Sequence, residues 1–575
     1  MADLTTVYSG FRGVDFRGED VNLARSSDSL NMWKDYREVE SVRTRPTMEL
    51  RTWFGDTIYG IFFYTLGDTE MTIEHAGDNL YKVVDGKKTK IWDFVDRKRS
   101  SAFVYNNIFY FKDGTVYLYY DGTNIGAVSD YNFPTADGDM FITTKYEYIY
   151  VPTTSISRTP LGGGKTYEDV NLLTGWRKNT FCADGTSRIY YLDAQDLDEV
   201  VPIITVNGEE VTDFATNYKE GRILFPEPPP KPLTEGEDNV CIEFRKTTEG
   251  HADKINKCTL LQVFDNRVFF SGNPEYPNGI WHCSLNEPSY CSDLDYYNEG
   301  LDSTEIRGMV AGNNGLWVFK KPSQSNTSIF YHTPTTDSTY GKIYPSTHSS
   351  ISTGCIGRAI NFNDDIIFFS DRGMEGINGD ITTEQVIAHR STMVDPKLTA
   401  EANYENMILV EWEGYLVVII DNKVYLADSR AMFTNENHYE YEWFYWEFDK
   451  NITSAKVNNG ILWLGTEDGL YSLTGNKNIH SYWETPKNRF NNPQRTKTTN
   501  KRGSVVEAEG DISVSVKTDK TEYEHIGDFN GVKDYFVMRI KRKKFKDLQI
   551  KFESNTHFSL ESATLECYVG GYIKR

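Results

Sequence analysis

The residues best able to do chemistry by type and spacing lie near the end of the chain. The run Arg539-Ile-Lys-Arg-Lys-Lys-Phe-Lys546 places six positive charges, Arg539, Lys541, Arg542, Lys543, Lys544 and Lys546, within eight residues. That density can meet phosphates or an acidic protein surface. Lys487 and Arg489 stand upstream in a stretch, 485–506, that contains no acid. Phe545 is the one aromatic interleaved in the run, so no stacking platform for single-stranded nucleic acid is expected. The competing structural reading is an edge strand that uses lysines to block edge-to-edge pairing. These eight cationic side chains are the candidate partner interface.

Other constellations fail on spacing. Pro160-Leu-Gly-Gly-Gly-Lys-Thr166 has the glycines and the Lys-Thr pair of a phosphate loop, but Thr159 occupies the position of the first required glycine. A flexible lead into a neighbouring module is the expected role. His282 and Cys283 are adjacent, and adjacent strand positions point to opposite faces, so they are read as structural and not as a ligand pair. There is no zinc or calcium spacing and no Gly-x-Ser-x-Gly elbow. The Asp-Gly pairs at 113–114, 121–122 and 468–469 are read as tight turns, with no arginine cluster that can be placed beside them. No catalytic residue, no cofactor and no metal is expected, and the chain is read as not an enzyme.

The elements that must position any site follow from a repeat. A short apolar strand, a tight turn of Asn, Asp or Gly, and a second strand of β-branched and aromatic residues recur eight times. Their central turns fall near Asp68, Asn107, Tyr146, Asn266, Asn314, Asp365, Gly414 and Asn459. Successive markers are 39 to 51 residues apart except for one step of 120. A period of about 40–50 residues holding about four short strands is the pattern of a β-propeller. The fold expected is therefore all-β: a seven- or eight-bladed propeller with an inserted small β-sandwich-like module and a C-terminal β region. The long step holds the insertion, with strands expected at 188–192, 201–206, 222–225 and 240–245 and a hairpin turn at Asn207-Gly208.

Length and composition agree. A chain of 575 residues, 14% aromatic and with 44 Gly, favours strands and turns over helices. The organisation expected is an N-terminal arm at 1–50, propeller blades at 51–165, the inserted β module at 166–250, further blades at 251–484, and a basic linker with a C-terminal β region at 485–575. The seven cysteines are scattered and never in Cys-x-x-Cys spacing, so reduced thiols are expected. No apolar run approaches the roughly 18–20 residues of a membrane-spanning helix, and the first residues carry no secretory pattern. The net charge of −22 is uneven: residues 485–575 hold 18 Lys and Arg against 12 Asp and Glu, a net of +6, which leaves −28 for residues 1–484. Such asymmetry bears on partners.

Three stretches resemble bacteriophage tail nozzle and packaged-DNA stabilisation proteins. They are Gly13-Val-Asp-Phe with Arg25-Ser-Ser-Asp-Ser-Leu-Asn-Met-Trp33 and Val42-Arg-Thr-Arg-Pro46; Ser271-Gly-Asn-Pro274 with Ser284-Leu-Asn-Glu-Pro-Ser-Tyr290; and Ile356-Gly-Arg with Phe369-Ser-Asp-Arg-Gly373. The resemblance implies a structural virion protein of the phage tail, made in the host cytoplasm. It implies a homo-oligomeric ring, with a hexamer favoured, that forms a nozzle or hub around the DNA channel, retains the packaged genome and lets it pass on ejection. Its implied partners are other tail or portal-adaptor proteins, and DNA that passes the lumen without sequence-specific binding. An acidic lumen would repel phosphates, and the basic C-terminal part could dock on an acidic neighbour. The alternative expectation is a propeller-based glycan-binding protein or glycosidase of host-surface recognition, with Trp317, Trp412 and Trp463 near the central hairpins, although strand alternation places these rings between blades.

Overall fold

The structure is a computed structural model that describes residues 3–18, 22–37, 41–67, 69–128, 157–158, 160, 170–323, 327–338, 341–348, 353–377, 387–435 and 438–573. Seven four-stranded antiparallel sheets form the blades of a propeller. Their innermost strands are Ile58–Leu66, Ser101–Tyr105, Leu260–Phe264, Ile306–Gly312, Ala359–Phe362, Ile408–Trp412 and Ile452–Asn458. Each lies beside the next, and the seventh lies beside the first, so the ring closes. The second strands Gly315–Lys320, Asp365–Ser370 and Tyr415–Ile420 are buried at every position, as a blade sandwiched between two others requires.

The repeated turns have one physical cause. At six inner hairpins both central residues have positive φ: Asn106-Asn107, Asp265-Asn266, Asn313-Asn314, Asn363-Asp364, Glu413-Gly414 and Asn459-Gly460. That geometry matches the right-handed twist of the flanking strands and selects Asn, Asp and Gly. Of the eight sequence markers, Asp68 and Tyr146 lie outside the described residues, as does the expected phosphate-loop-like stretch at 161–166. Among the described residues the blade number is seven.

The seventh blade is finished from the other end of the chain. Its fourth strand is Thr47–Trp53, paired with Gly469–Gly475. The rest of residues 3–44 also joins distant elements. Asp3–Tyr8 pairs with the C-terminal strand Phe558–Tyr572, Asp28–Leu30 with Ser481–Glu484, and Val42–Thr44 with both Met32–Trp33 and Ser559-Leu560. An eleven-stranded sheet thus draws on both chain ends. One continuous core, including Tyr8, Trp33, Trp412, Trp446, Trp483 and Phe552, welds it to the sixth and seventh blades. Gly13 lies so close to the sixth blade that a Cβ would stand 2.3 Å from the Trp443 carbonyl oxygen.

The insertion lies between the second and third blades. Its sheets, one containing Trp176–Phe181, Val240–Arg245 and Ile203–Val206 and the other Ile189–Tyr191, Arg222–Leu224 and Ala215–Asn217, enclose a separate core with Phe181, Tyr190, Ile223 and Phe244. The Asn207-Gly208 turn has positive φ at both residues, as the sequence requires.

One expectation is corrected in the C-terminal region. The composition of 485–506 leads one to expect an exposed loop or linker, but Arg495–Thr499 is a strand of the large sheet. Lys497 is buried there, its Nζ donating to the carbonyls of Asn492 at 2.7 Å and Lys546 at 2.8 Å. A buried ammonium is tolerated because carbonyls satisfy its protons, and burial pushes its pKa down.

Glu74, on the second strand of the first blade, is fully buried, with Oε1 accepting from Thr72 and Oε2 without a partner among the described residues. Burial pushes its carboxyl up to about 7 from an ordinary value of 4.5. The folded state then holds the proton more tightly than the unfolded chain. Its contribution is full below about pH 4.5 and is lost as pH rises through about 7. Glu74→Gln is expected to raise stability at pH 8 by ~2–3 kcal/mol and to change little at pH 4.5, measured by urea unfolding at both values. An equal effect at the two pH values would contradict this assignment.

Candidate functional site

Of the sequence-selected cations, Lys543 and Lys544 lie in an end strand of the large C-terminal sheet and the others in the loops beside its strands. Lys487, Arg489, Arg539, Lys541, Lys543, Lys544 and Lys546 are exposed, and Arg542 is half-buried with Nη2 2.6 Å from Glu524 Oε2. Met538, Ile540 and Phe545 between them are buried, so the cations are displayed by an alternation that anchors every apolar neighbour in the core. Lys543–Phe545 is the end strand of the sheet path, paired with Arg495–Thr499. The tail of the chain therefore presents a basic edge.

A second feature was not legible in the sequence. A groove of about 630 Å³ opens where the sixth and seventh blades, the N-terminal segment and the C-terminal sheet meet; it is lined by residues that include Asp35, Arg37, Arg43, Glu413, Glu509 and His557. Below it Trp33 and Trp412 stack at 5.2 Å with 20° between their planes. Trp412 Nε1 donates to the Gly460 carbonyl at 2.9 Å, whereas Trp33 Nε1 is buried without a partner among the described residues.

The acidic groups of this groove differ in character. Asp35 accepts from the Arg37 backbone N–H at 3.0 Å, from Arg37 Nε at 3.0 Å and from Arg37 Nη2 at 3.1 Å. Burial pushes the Asp35 carboxyl up, but the hydrogen bonds and charge of Arg37, together with Arg43, outweigh it and hold it below the ordinary range. Glu413 is pushed up, first by burial and then by the Asp35 charge, against the pull of Arg37, whose Nη1 lies 3.8 Å from Glu413 Oε1. Glu413 also occupies a left-handed turn position, φ 47°, where four of the other inner hairpins have Asn or Asp at both central positions. An ionised carboxylate beside one that holds its proton more readily is the division of labour used in acid–base chemistry. Groups so arranged can bind a cation or polar ligand, or exchange a proton with it.

The tryptophans near the central hairpins, which strand alternation places between blades, are buried or half-buried. Trp317 and Trp412 are buried, the former 4.5 Å from the Tyr331 ring, and Trp463 is half-buried against Phe63 at 5.8 Å. His282 and Cys283 are likewise buried: Val268 N–H donates to Cys283 Sγ at 3.0 Å, and burial pushes His282 down to about 4. All seven cysteines are free thiols. No helix among the described residues is long and apolar enough to cross a membrane.

Comparison with known proteins places the chain by fold alone. No family model matches it, and no curated protein matches it. Among solved structures it is similar to BamB from Moraxella catarrhalis, with 10% identity and a TM-score of 0.33, covering 74% of this chain and 97% of that one. It is also similar to an exo-β-1,3-galactanase from Phanerochaete chrysosporium, at 8% identity and a TM-score of 0.22, covering 90% and 100%. A glycoside hydrolase matches at 8% identity and a TM-score of 0.22, covering 91% and 100%. The expectation that the chain is not an enzyme is corrected on this finding, since glycoside hydrolases stand among the structures it matches. At these identities the likeness assigns no reaction. Acidic groups such as Asp35 and Glu413 come together only through the fold, and no local motif marks them.

Proposed function

We propose that this chain is a structural subunit of a bacteriophage tail, assembled in a closed ring as a nozzle or hub around the DNA channel. In that role it retains the packaged genome, lets it pass on ejection, and docks on neighbouring tail or portal-adaptor proteins. The observation that carries the reading is the outer strand Thr521–Val537. It is 17 residues long, and among the described residues it pairs only with Val505–Thr518. Val532 and Tyr535 on it are 81% and 66% exposed. A long free edge with exposed apolar side chains is a pairing template that natural sheets cover or blunt, and a second copy meeting it head to tail would close a ring. The resemblance quoted for the N-terminal segment supports the same reading. Arg25, Trp33, Val42 and Arg45 are buried where the propeller joins the sheet that carries this edge, so that segment fixes the geometry of the edge.

Negative-stain microscopy of the purified chain tests the proposal, with rings around a central pore as the expected image. Val532→Glu combined with Tyr535→Lys is expected to leave folded single subunits. Compact monomers of the unmodified chain, with a melting temperature that shifts on adding saccharide, would overturn the proposal in favour of glycan binding.

A further inference from the structure

We propose that one mouth of the propeller's axial channel is a binding site for a small oxyanion, independent of the tail-assembly reading. Each blade has four antiparallel strands, so successive innermost strands run in the same sense and their first residues gather at one mouth. Three arginines occupy that level: Arg99 just before Ser101–Tyr105, Arg307 as the second residue of Ile306–Gly312, and Arg358 just before Ala359–Phe362. All three line one cavity of about 140 Å³. Their separation in sequence hides the cluster; the ring assembles it.

Two of the three are already partly engaged. Arg99 reaches across the axis from the second blade to the sixth, donating to the carbonyls of Met407 at 2.7 Å and Asn406 at 2.6 Å. Arg307 Nη2 lies 2.6 Å from Glu405 and 2.7 Å from Glu305, while its Nε is buried without a partner among the described residues. Lys321 Nζ shares the same two carboxylates, at 2.7 Å from Glu305 and 3.5 Å from Glu405. Four cations therefore face two anions. The guanidinium of Arg358 donates no hydrogen bond to any described residue, yet it borders the cavity.

Burial pushes Arg99 down to about 9, and the nearby Arg358 charge adds to that; Arg358 is itself lowered by burial and by Arg307. Guanidiniums packed at this density repel one another unless an anion stands between them, and a planar fork of N–H donors is matched by carboxylate and phosphate oxygens. The small cavity selects a single oxyanion group over a nucleic-acid duplex. Inorganic phosphate, or the carboxylate of a sugar acid, fits the chemistry.

The test is isothermal titration of the full chain with inorganic phosphate and, separately, with glucuronate, each against chloride at matched ionic strength. Saturable binding of phosphate with one site per chain is expected, and Arg358→Gln should weaken it at least tenfold. Because the Arg358 guanidinium donates no hydrogen bond to a described residue, the variant should keep its melting temperature in chloride, which separates lost binding from lost structure. Binding of glucuronate as well as phosphate would support a general oxyanion site, whereas phosphate alone would support a tetrahedral one. Heat changes no greater than with chloride, or affinity unchanged in Arg358→Gln, would overturn the assignment.

Discussion

Removing residues 1–53 is expected to abolish folding of the whole chain, not to trim an arm. The seventh blade loses Thr47–Trp53, which leaves Gly469–Gly475 as an open edge beside the first blade. The C-terminal sheet loses Asp3–Tyr8, Asp28–Leu30, Met32–Trp33 and Val42–Thr44. Tyr8, Phe11, Trp33, Val42 and Met48 are all in the core shared by propeller and sheet. Burying a large apolar side chain contributes about 1.5–3 kcal/mol, so five such losses reach the ~5–15 kcal/mol by which a domain is stable. The deletion should give aggregated protein on gel filtration and no near-ultraviolet circular dichroism of ordered aromatics. A soluble truncated chain with the native spectrum would show that the ring closes without its terminal strand.

That dependence was invisible in the sequence for a physical reason. Inner hairpins announce themselves because positive φ favours Asn, Asp and Gly at their turns, Glu413 being the exception, and because second strands such as Tyr415–Ile420, buried on both faces, are largely apolar. The blades' outer strands carry no such mark. Tyr296–Asn298, Ser346–His348 and Ile387–His389 have three residues each and are mostly exposed or half-buried. Thr47–Trp53 alternates poorly, with Glu49 and Arg51 facing solvent. Its partner lies more than 400 residues away, which no local pattern encodes. The basic run 539–546 was legible as charge, and its exposure follows from the alternation with Met538, Ile540 and Phe545. Lys497, in the same basic composition, is buried because strand pairing and carbonyl acceptors offset its desolvation. The groove at Asp35 and Glu413 and the arginines of the axial mouth were not legible, since each draws residues from three or more blades or segments.

The second large effect is expected at Arg390, which joins the fifth blade to the sixth. Its guanidinium is fully buried; Nε lies 2.8 Å from Asp365 Oδ2 and Nη2 3.4 Å from Oδ1. Nη1 donates to the Tyr439 carbonyl at 3.1 Å, the Tyr439 ring lies 4.0 Å from the guanidinium carbon, and Tyr441 Oη donates to Asp365 at 3.0 Å. Gly376 lies against the pair, where a Cβ would come within 2.7 Å of both Arg390 Nε and Asp365 Oδ1. Nearly every donor and acceptor is satisfied, so the pair repays its desolvation only while it is whole. Arg390→Met removes the cation and strands the Asp365 carboxylate in the interior, at an expected cost of ~3–5 kcal/mol. Asp365→Leu strands the guanidinium in the same way. The double variant should lose much less than the sum of the single changes, because no uncompensated charge remains. Urea unfolding of the three variants measures this coupling. Strict additivity, or a cost below ~1 kcal/mol for Arg390→Met, would place the pair in a solvated setting and would uncouple the fifth and sixth blades from each other.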